Sequence, residues 1–216
     1  MSIKLTYANG RGKAEIIRII LAEAGLEYTE EYLTSKEQWE DLKKSGKLLY
    51  NQVPLLEIDG LELVQTGAIV RYLARKYNMY GSNDQEAVKV DMYYEGSRDF
   101  YAVFLAMVFT DENECLKKAK EVMVPKYFPV YEKILKSCTT KYLVGDSISI
   151  ADLGLLECLL AVEEFLGMEL IDSYPKLKEY YLKLKALDRI STFLKGPHRK
   201  KRNTEEYVAE VRKVLF

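Results

Sequence analysis

One stretch constrains the fold more than any other part of this chain. Val53-Pro54-Leu55-Leu56-Glu57-Ile58 is followed by Asp59-Gly60 and then by Leu61-Glu62-Leu63-Val64. Two short apolar runs joined by Asp-Gly predict an antiparallel hairpin on a type I′ turn, because both turn residues tolerate positive φ. Gln65-Thr66 then opens a helix carrying Ala68, Ile69, Tyr72 and Leu73. Upstream, Ile3–Tyr7 reads as a short strand. Gly10–Gly12 turns it into an amphipathic helix with Ile16, Ile17, Ile20, Leu21 and Ala24 on one side, ended by Gly25. Tyr28–Leu33 predicts a second strand and Lys36–Lys44 a polar helix.

The resulting order, β-α-β-α-β-β-α, is that of an α/β layer of thioredoxin type. Asn78–Asp84 is polar and turn-rich, the best linker in the chain. Beyond it the strand-like alternation ends, and helices are predicted at about 84–110, 113–137, 149–166, 174–187 and 204–215. Ser149-Ile150-Ala151-Asp152 has the form of a capping box. The helix after it is apolar nearly all round, as expected for the centre of an all-helical domain. The fold class is therefore a thioredoxin-like α/β domain over residues 1–81 followed by an all-α domain over 82–216.

Composition narrows the function mainly by exclusion. A formal charge of −1 gives no reason to expect nucleic acid or a membrane surface as partner. No apolar run approaches the ~18 residues of a membrane span, and the N-terminus MSIKLTYANG has no signal core. Cys115, Cys138 and Cys158 are sparse and odd in number, which suits reduced thiols and a cytoplasmic protein. With His198 as the one histidine, a histidine-rich metal site is excluded and a serine-hydrolase triad is improbable. The basic run Pro197-His198-Arg199-Lys200-Lys201-Arg202 reads as solvated surface rather than a nucleic-acid patch.

Several segments taken together resemble one family. They are Tyr7-Ala8-Asn9-Gly10-Arg11-Gly12-Lys13, Gln52 through Gly60, Leu63-Val64-Gln65-Thr66, Lys76-Tyr77-Asn78-Met79-Tyr80-Gly81, Asp91-Met92-Tyr93, Tyr127-Phe128-Pro129 and Tyr142-Leu143-Val144-Gly145. In order and spacing they are similar to the cytosolic glutathione transferases, the alpha class most of all, over essentially the whole chain. The resemblance implies an enzyme that conjugates reduced glutathione to hydrophobic electrophiles, with glutathione as co-substrate, no cofactor and no metal. It implies a homodimer in the cytoplasm, working on hydrophobic small molecules.

The same resemblance assigns residues. Tyr7 donates its hydroxyl to the glutathione sulfur, and Lys13 stands where many alpha-class members have an assisting arginine. A lysine keeps that charge but loses the planar fork. Gln65 and Thr66 hold the γ-glutamyl carboxylate at a helix start, a reading their position also supports. In the family Pro54 is cis and presents the Val53 backbone to the cysteinyl part. Gln52 and Lys43 fall at the glycyl carboxylate, Lys43 again replacing an arginine. Asp99 and Lys126 match residues that reach a neighbouring subunit's glutathione, and Tyr50 matches an aromatic key inserted into that subunit. Arg11 and Arg18 match arginines expected to serve the fold. The hydrophobic substrate is assigned to Ala8, Phe104, Leu105, Val108 and the terminal residues Val208, Val211, Val214, Leu215 and Phe216, the last helix forming a lid. Ala8 replaces a bulkier aromatic, which implies a wider or reshaped pocket.

Two other readings stay open on the sequence. The substitutions at Ala8, Lys13 and Lys43 fit a carrier of hydrophobic ligands. Lys4-Leu5-Thr6-Tyr7 and Ala14-Glu15-Ile16-Ile17-Arg18 look somewhat like the sigma class, against which the extension through Phe216 speaks. Accessory peroxidase or ketosteroid isomerase activity depends on pocket shape, which sequence does not determine.

Overall fold

In the computed structural model, residues 2–202 and 204–215 are described. The chain forms two compact units. One holds the chain through Leu73 together with the segment from Thr192 onward; the other runs from Ala74 to Ser191.

The first unit contains a four-stranded sheet in the order β2-β1-β3-β4. Strand β1 (Lys4–Tyr7) lies parallel to β2 (Thr29–Tyr32) and antiparallel to β3 (Leu55–Ile58), which pairs with β4 (Leu61–Val64). The predicted hairpin is present, with Asp59 at φ 54° and Gly60 at φ 76°, both central residues positive as a type I′ turn needs. Helix α1 (Glu15–Glu23) buries Ile16, Ile17, Ile19, Ile20 and Leu21. Helix α2 (Lys36–Lys44) is polar by composition but buries Trp39, and Ser35 and Gln38 close a capping box at its start. Helix α3 (Thr66–Lys76) follows β4 directly. The chain returns to this unit with most of α10 (Asp188–Lys195), a basic segment, and α11 (Glu205–Leu215). Val214 of α11 joins Leu33, Trp39, Leu48 and Leu55 in a local core, with Leu215, Val53 and Val64 packed against it.

The second unit is helical. Helix α4 (Asp84–Ala106) packs on α7 (Ile150–Leu166), which is buried from Ile150 through Val162. The Ser149 N–H and hydroxyl both donate to the Asp152 carboxylate, at 2.7 and 2.9 Å. The single helix expected over 113–137 is three pieces: α5 (Glu112–Lys118), a π turn over Ala119–Met123, and α6 (Val124–Ser137). Pro125 has no N–H for the i→i−4 ladder, so the helix is re-registered before it. Two short helices were not predicted, α8 (Glu169–Asp172) and α10; α9 (Pro175–Lys185) was. No helix among the described residues is long and apolar enough to cross a membrane. The three cysteines are free thiols.

Candidate active site

Tyr7 ends β1, and the chain then turns sharply through Gly10 and Gly12 into a 3-10 turn, Gly12–Ala14. A Cβ on Gly12 would overlap the Tyr7 hydroxyl, so only glycine lets the loop close over that phenol. The closure brings the Lys13 backbone N–H to the Tyr7 oxygen at 3.0 Å. The Lys13 carbonyl in turn accepts from the Thr66 hydroxyl at 3.2 Å. Lys13 therefore ties the thiol-activator candidate to the start of α3 through its main chain, while its side chain is exposed. Burial pushes the Tyr7 phenol up, against the Lys13 N–H and the nearby Arg18 charge, so it stays protonated at neutral pH and available as a donor.

At the other end of the cluster, Gln65 adopts φ 70° and accepts the Ile69 N–H through its carbonyl at 3.0 Å, which makes it the N-cap of α3. Its side-chain amide donates to Gln52 at 3.1 Å. Beyond Gln52, the Val53–Pro54 bond is cis, the isomer the family resemblance implies. Lys43 lies apart from this chain of contacts. Its ammonium pairs with Glu40 at 2.8 Å and sits 5.3 Å from the Trp39 ring centre. Tyr50 is 60% exposed on the same unit.

In this unit Ala8 is buried, Val208 half-buried and Val211 buried; Phe216 lies outside the described residues. Val214, assigned by resemblance to the electrophile, is buried in the local core around Trp39, and Leu215, assigned likewise, packs against that core. In the helical unit Phe104 and Val108 are buried and Leu105 half-buried, the Phe104 ring packing on Phe100, Tyr101 and Phe165. Asp99 and Lys126 are exposed on α4 and α6.

Sequence reasoning missed Tyr207. A Cβ on Gly10 would overlap its ring, so Tyr207 of α11 rests directly on the loop that follows Tyr7. Burial, and then the Tyr7 phenol beside it, raise the Tyr207 hydroxyl. The available signal was an aromatic residue on a predicted terminal helix, opposite a glycine in the Tyr7 loop. Among the described residues no cluster of His, Cys, Asp and Glu could hold a metal ion.

The family model for the Glutathione S-transferase, N-terminal domain matches residues 3–75, and that for the Glutathione S-transferase, C-terminal domain matches residues 98–197. Glutathione S-transferase A4 of Mus musculus is 43% identical over 220 residues, spanning 98% of this chain and 97% of that protein. The chain belongs to the glutathione S-transferase family. Glutathione S-transferase alpha-4 of Rattus norvegicus, also 43% identical, spans 98% of this chain and 97% of its own, so the alpha-class resemblance holds across the transferase. Among solved structures, a monomeric glutathione S-transferase from Necator americanus gives a TM-score of 0.79 at 31% identity, covering 94% of this chain and 100% of that one. The small mixed sheet followed by helices is thus the architecture of these transferases, and the protein is an enzyme of that kind.

Proposed function

We propose that this transferase conjugates reduced glutathione to hydrophobic electrophiles through a thiolate held by the Tyr7 hydroxyl. The observation that carries the reading is the chain of contacts Tyr7–Lys13–Thr66. The Lys13 N–H donates to the Tyr7 oxygen, which polarises the O–H and strengthens what that phenol can donate onward. Thr66 heads α3, whose first-turn N–H groups and dipole favour a carboxylate. In this reading the γ-glutamyl carboxylate sits there and the cysteinyl part lies along Val53. Gln52 reaches the glycyl carboxylate, and Lys43 does so by leaving Glu40.

The activator's share can be bounded. A thiol of pKa ~8.5 is about 3% ionised at neutral pH, and a drop of roughly two units makes it mostly thiolate. That is about 25-fold more nucleophile, but at a Brønsted slope near 0.45 each thiolate is roughly eightfold less reactive. Ionisation nets only a fewfold, so holding the electrophile beside the sulfur supplies much of the rest. With a chloronitroarene, the sulfur forms a bond to the ring carbon and chloride leaves with the C–Cl electron pair; the thiol proton has already gone to solvent.

Tyr7→Phe is expected to lower kcat/KM for such a substrate about threefold near neutral pH and to raise the apparent pKa of the bound thiol by up to roughly two units. An unchanged kcat/KM would remove Tyr7 from the mechanism. Peroxidase or ketosteroid isomerase activity would draw on the same thiolate and is read by turnover of those substrates. By the resemblance we assign residues 1–81 to glutathione binding and 82–216 to the helical domain, of which the part from Thr192 onward belongs to the first compact unit, and we place the protein in the cytoplasm. We further infer a C2 homodimer in which Asp99 and Lys126 reach the partner's glutathione. Its support is the resemblance and the exposed apolar pair Leu49 and Tyr50. Sedimentation velocity at micromolar protein decides it, and a monomer would sink it.

A further inference from the structure

Within the basic segment before α11, Pro197, His198, Lys201 and Arg202 are exposed, as expected of surface, but Arg199 and Lys200 are half-buried and paired. The Arg199 guanidinium pairs with Glu15 at 2.5 Å, and the Lys200 ammonium lies 3.3 Å from Glu30 and donates to the Tyr32 hydroxyl at 2.5 Å. His198 faces the same Glu30 oxygen at 3.2 Å, its ring 4.7 Å from that of Tyr28. Both carboxylates are buried, and both also pair with Arg18, whose side chain has no exposed surface.

Charge balance explains why the segment is held here. Arg18 alone opposes two carboxylates, and a buried carboxylate without a partner is strongly disfavoured. Arg199 and Lys200 supply the missing positive charge. Arg18 is also the residue that holds the loop after Tyr7: its Nη1 donates to the Gly10 carbonyl at 2.8 Å and the Arg11 carbonyl at 3.5 Å. Arg11 Nε closes a second tie by donating to the Lys200 carbonyl at 2.8 Å. The basic segment is therefore fastened at two points to the loop that delivers the Lys13 N–H to Tyr7.

We propose that Arg199 and Lys200 are positioning residues for the thiol activator. By neutralising Glu15 and Glu30 they keep Arg18 on the Gly10 and Arg11 carbonyls, which fixes the Gly10–Lys13 loop and its hydrogen bond to Tyr7. This rests on the assignment of Tyr7 as activator. A segment that merely anchored α11 would affect stability and leave the ionisation of bound glutathione unchanged.

The test is the apparent pKa of the bound thiol, read from the pH profile of kcat/KM and from thiolate ultraviolet absorbance, beside denaturant unfolding of each variant. Arg199→Gln and Lys200→Gln are expected to raise that pKa by about half a unit or more, displacing the acid limb of the kcat/KM profile and the absorbance titration by the same amount, while kcat/KM near neutrality changes by less than about twofold. Arg199→Lys, which keeps the charge and loses the fork, should fall between Arg199→Gln and the parent protein. Lys201→Gln should match the parent. Lost stability with a parental thiol pKa in Arg199→Gln and Lys200→Gln would overturn the proposal. Should those two not fold, Arg199→Lys carries the test, and a parental thiol pKa there overturns it. Tyr7→Phe separates the two assignments. If it leaves the thiol pKa unchanged, the Tyr7 reading fails; if it raises the pKa while Arg199→Gln does not, only the positioning role fails.

Discussion

Each unit of this transferase buries an arginine against glutamate, and the two do different work. Arg18 is fully buried and spends its donors on Glu15, Glu30 and two loop carbonyls beside Tyr7. Arg98, on α4, is 19% exposed and spends its donors on Glu157 at 2.5 Å, the Gly154 carbonyl of α7 at 3.1 Å and the Ser97 hydroxyl at 3.3 Å. It also lies 5.2 Å from the ring centres of Tyr94 and Tyr101. Arg98 fastens two packed helices to each other, whereas Arg18 fastens a loop. A helix pair already has an apolar interface to fix its position. A loop has none, so its geometry depends on the hydrogen bonds that end on it. The same ion pairing is thus a core contact in one unit and a determinant of site geometry in the other.

The largest effect is expected from Arg18→Met, which strands two buried carboxylates. It should cost about 3–5 kcal/mol in denaturant unfolding and depress kcat/KM in the protein that remains folded. A loss below about 1 kcal/mol would mean that Arg199 and Lys200 suffice for both carboxylates. Arg98→Met should cost less, about 1–3 kcal/mol, because it strands one buried carboxylate, Glu157, rather than two. It should also leave the thiol pKa where it was, and a shifted thiol pKa in that variant would erase the contrast between the units.

The smallest effect concerns pH. Glu30 is held below its ordinary value near 4.5: burial pushes it up, but Arg18, His198 and Lys200 together outweigh that. A depressed carboxyl contributes stability that is fully present above its unfolded pKa and is lost as pH falls through the lower folded one. Glu30→Gln should therefore be less stable than the parent at neutral pH, and the gap should narrow as the solution is acidified below about pH 4.5. A gap independent of pH, measured by unfolding at a series of pH values, would show that the glutamate acts by shape alone.

The amino-acid order by itself determined the elements and the broad fold. The alternation around Asp59-Gly60, the glycine after α1 and the apolar band of α7 are local patterns whose consequences are local, and the hairpin, α1 and α7 form where they were expected. It also marked Tyr7, Lys13, Gln52, Val53, Pro54, Gln65 and Thr66, because the family's segments are contiguous enough to be recognised along the chain. Interruptions were less legible: Pro125 broke a predicted helix, and α8 and α10 are too short to show a sustained period.

What only tertiary structure decided is which atoms of these residues meet. Lys13 was singled out for its side-chain charge, yet its backbone joins Tyr7 to Thr66. Tyr207 met Gly10 across most of the chain, and the run 197–202 looked solvated because the five consecutive polar residues after Pro197 carry no sign of their partners. Those partners, Glu15 and Glu30, lie on α1 and β2, well over a hundred residues away in sequence. Ion pairs and ring contacts have no periodicity to announce them. They form where the fold brings charge and surface together, and for this transferase that place is the loop after Tyr7.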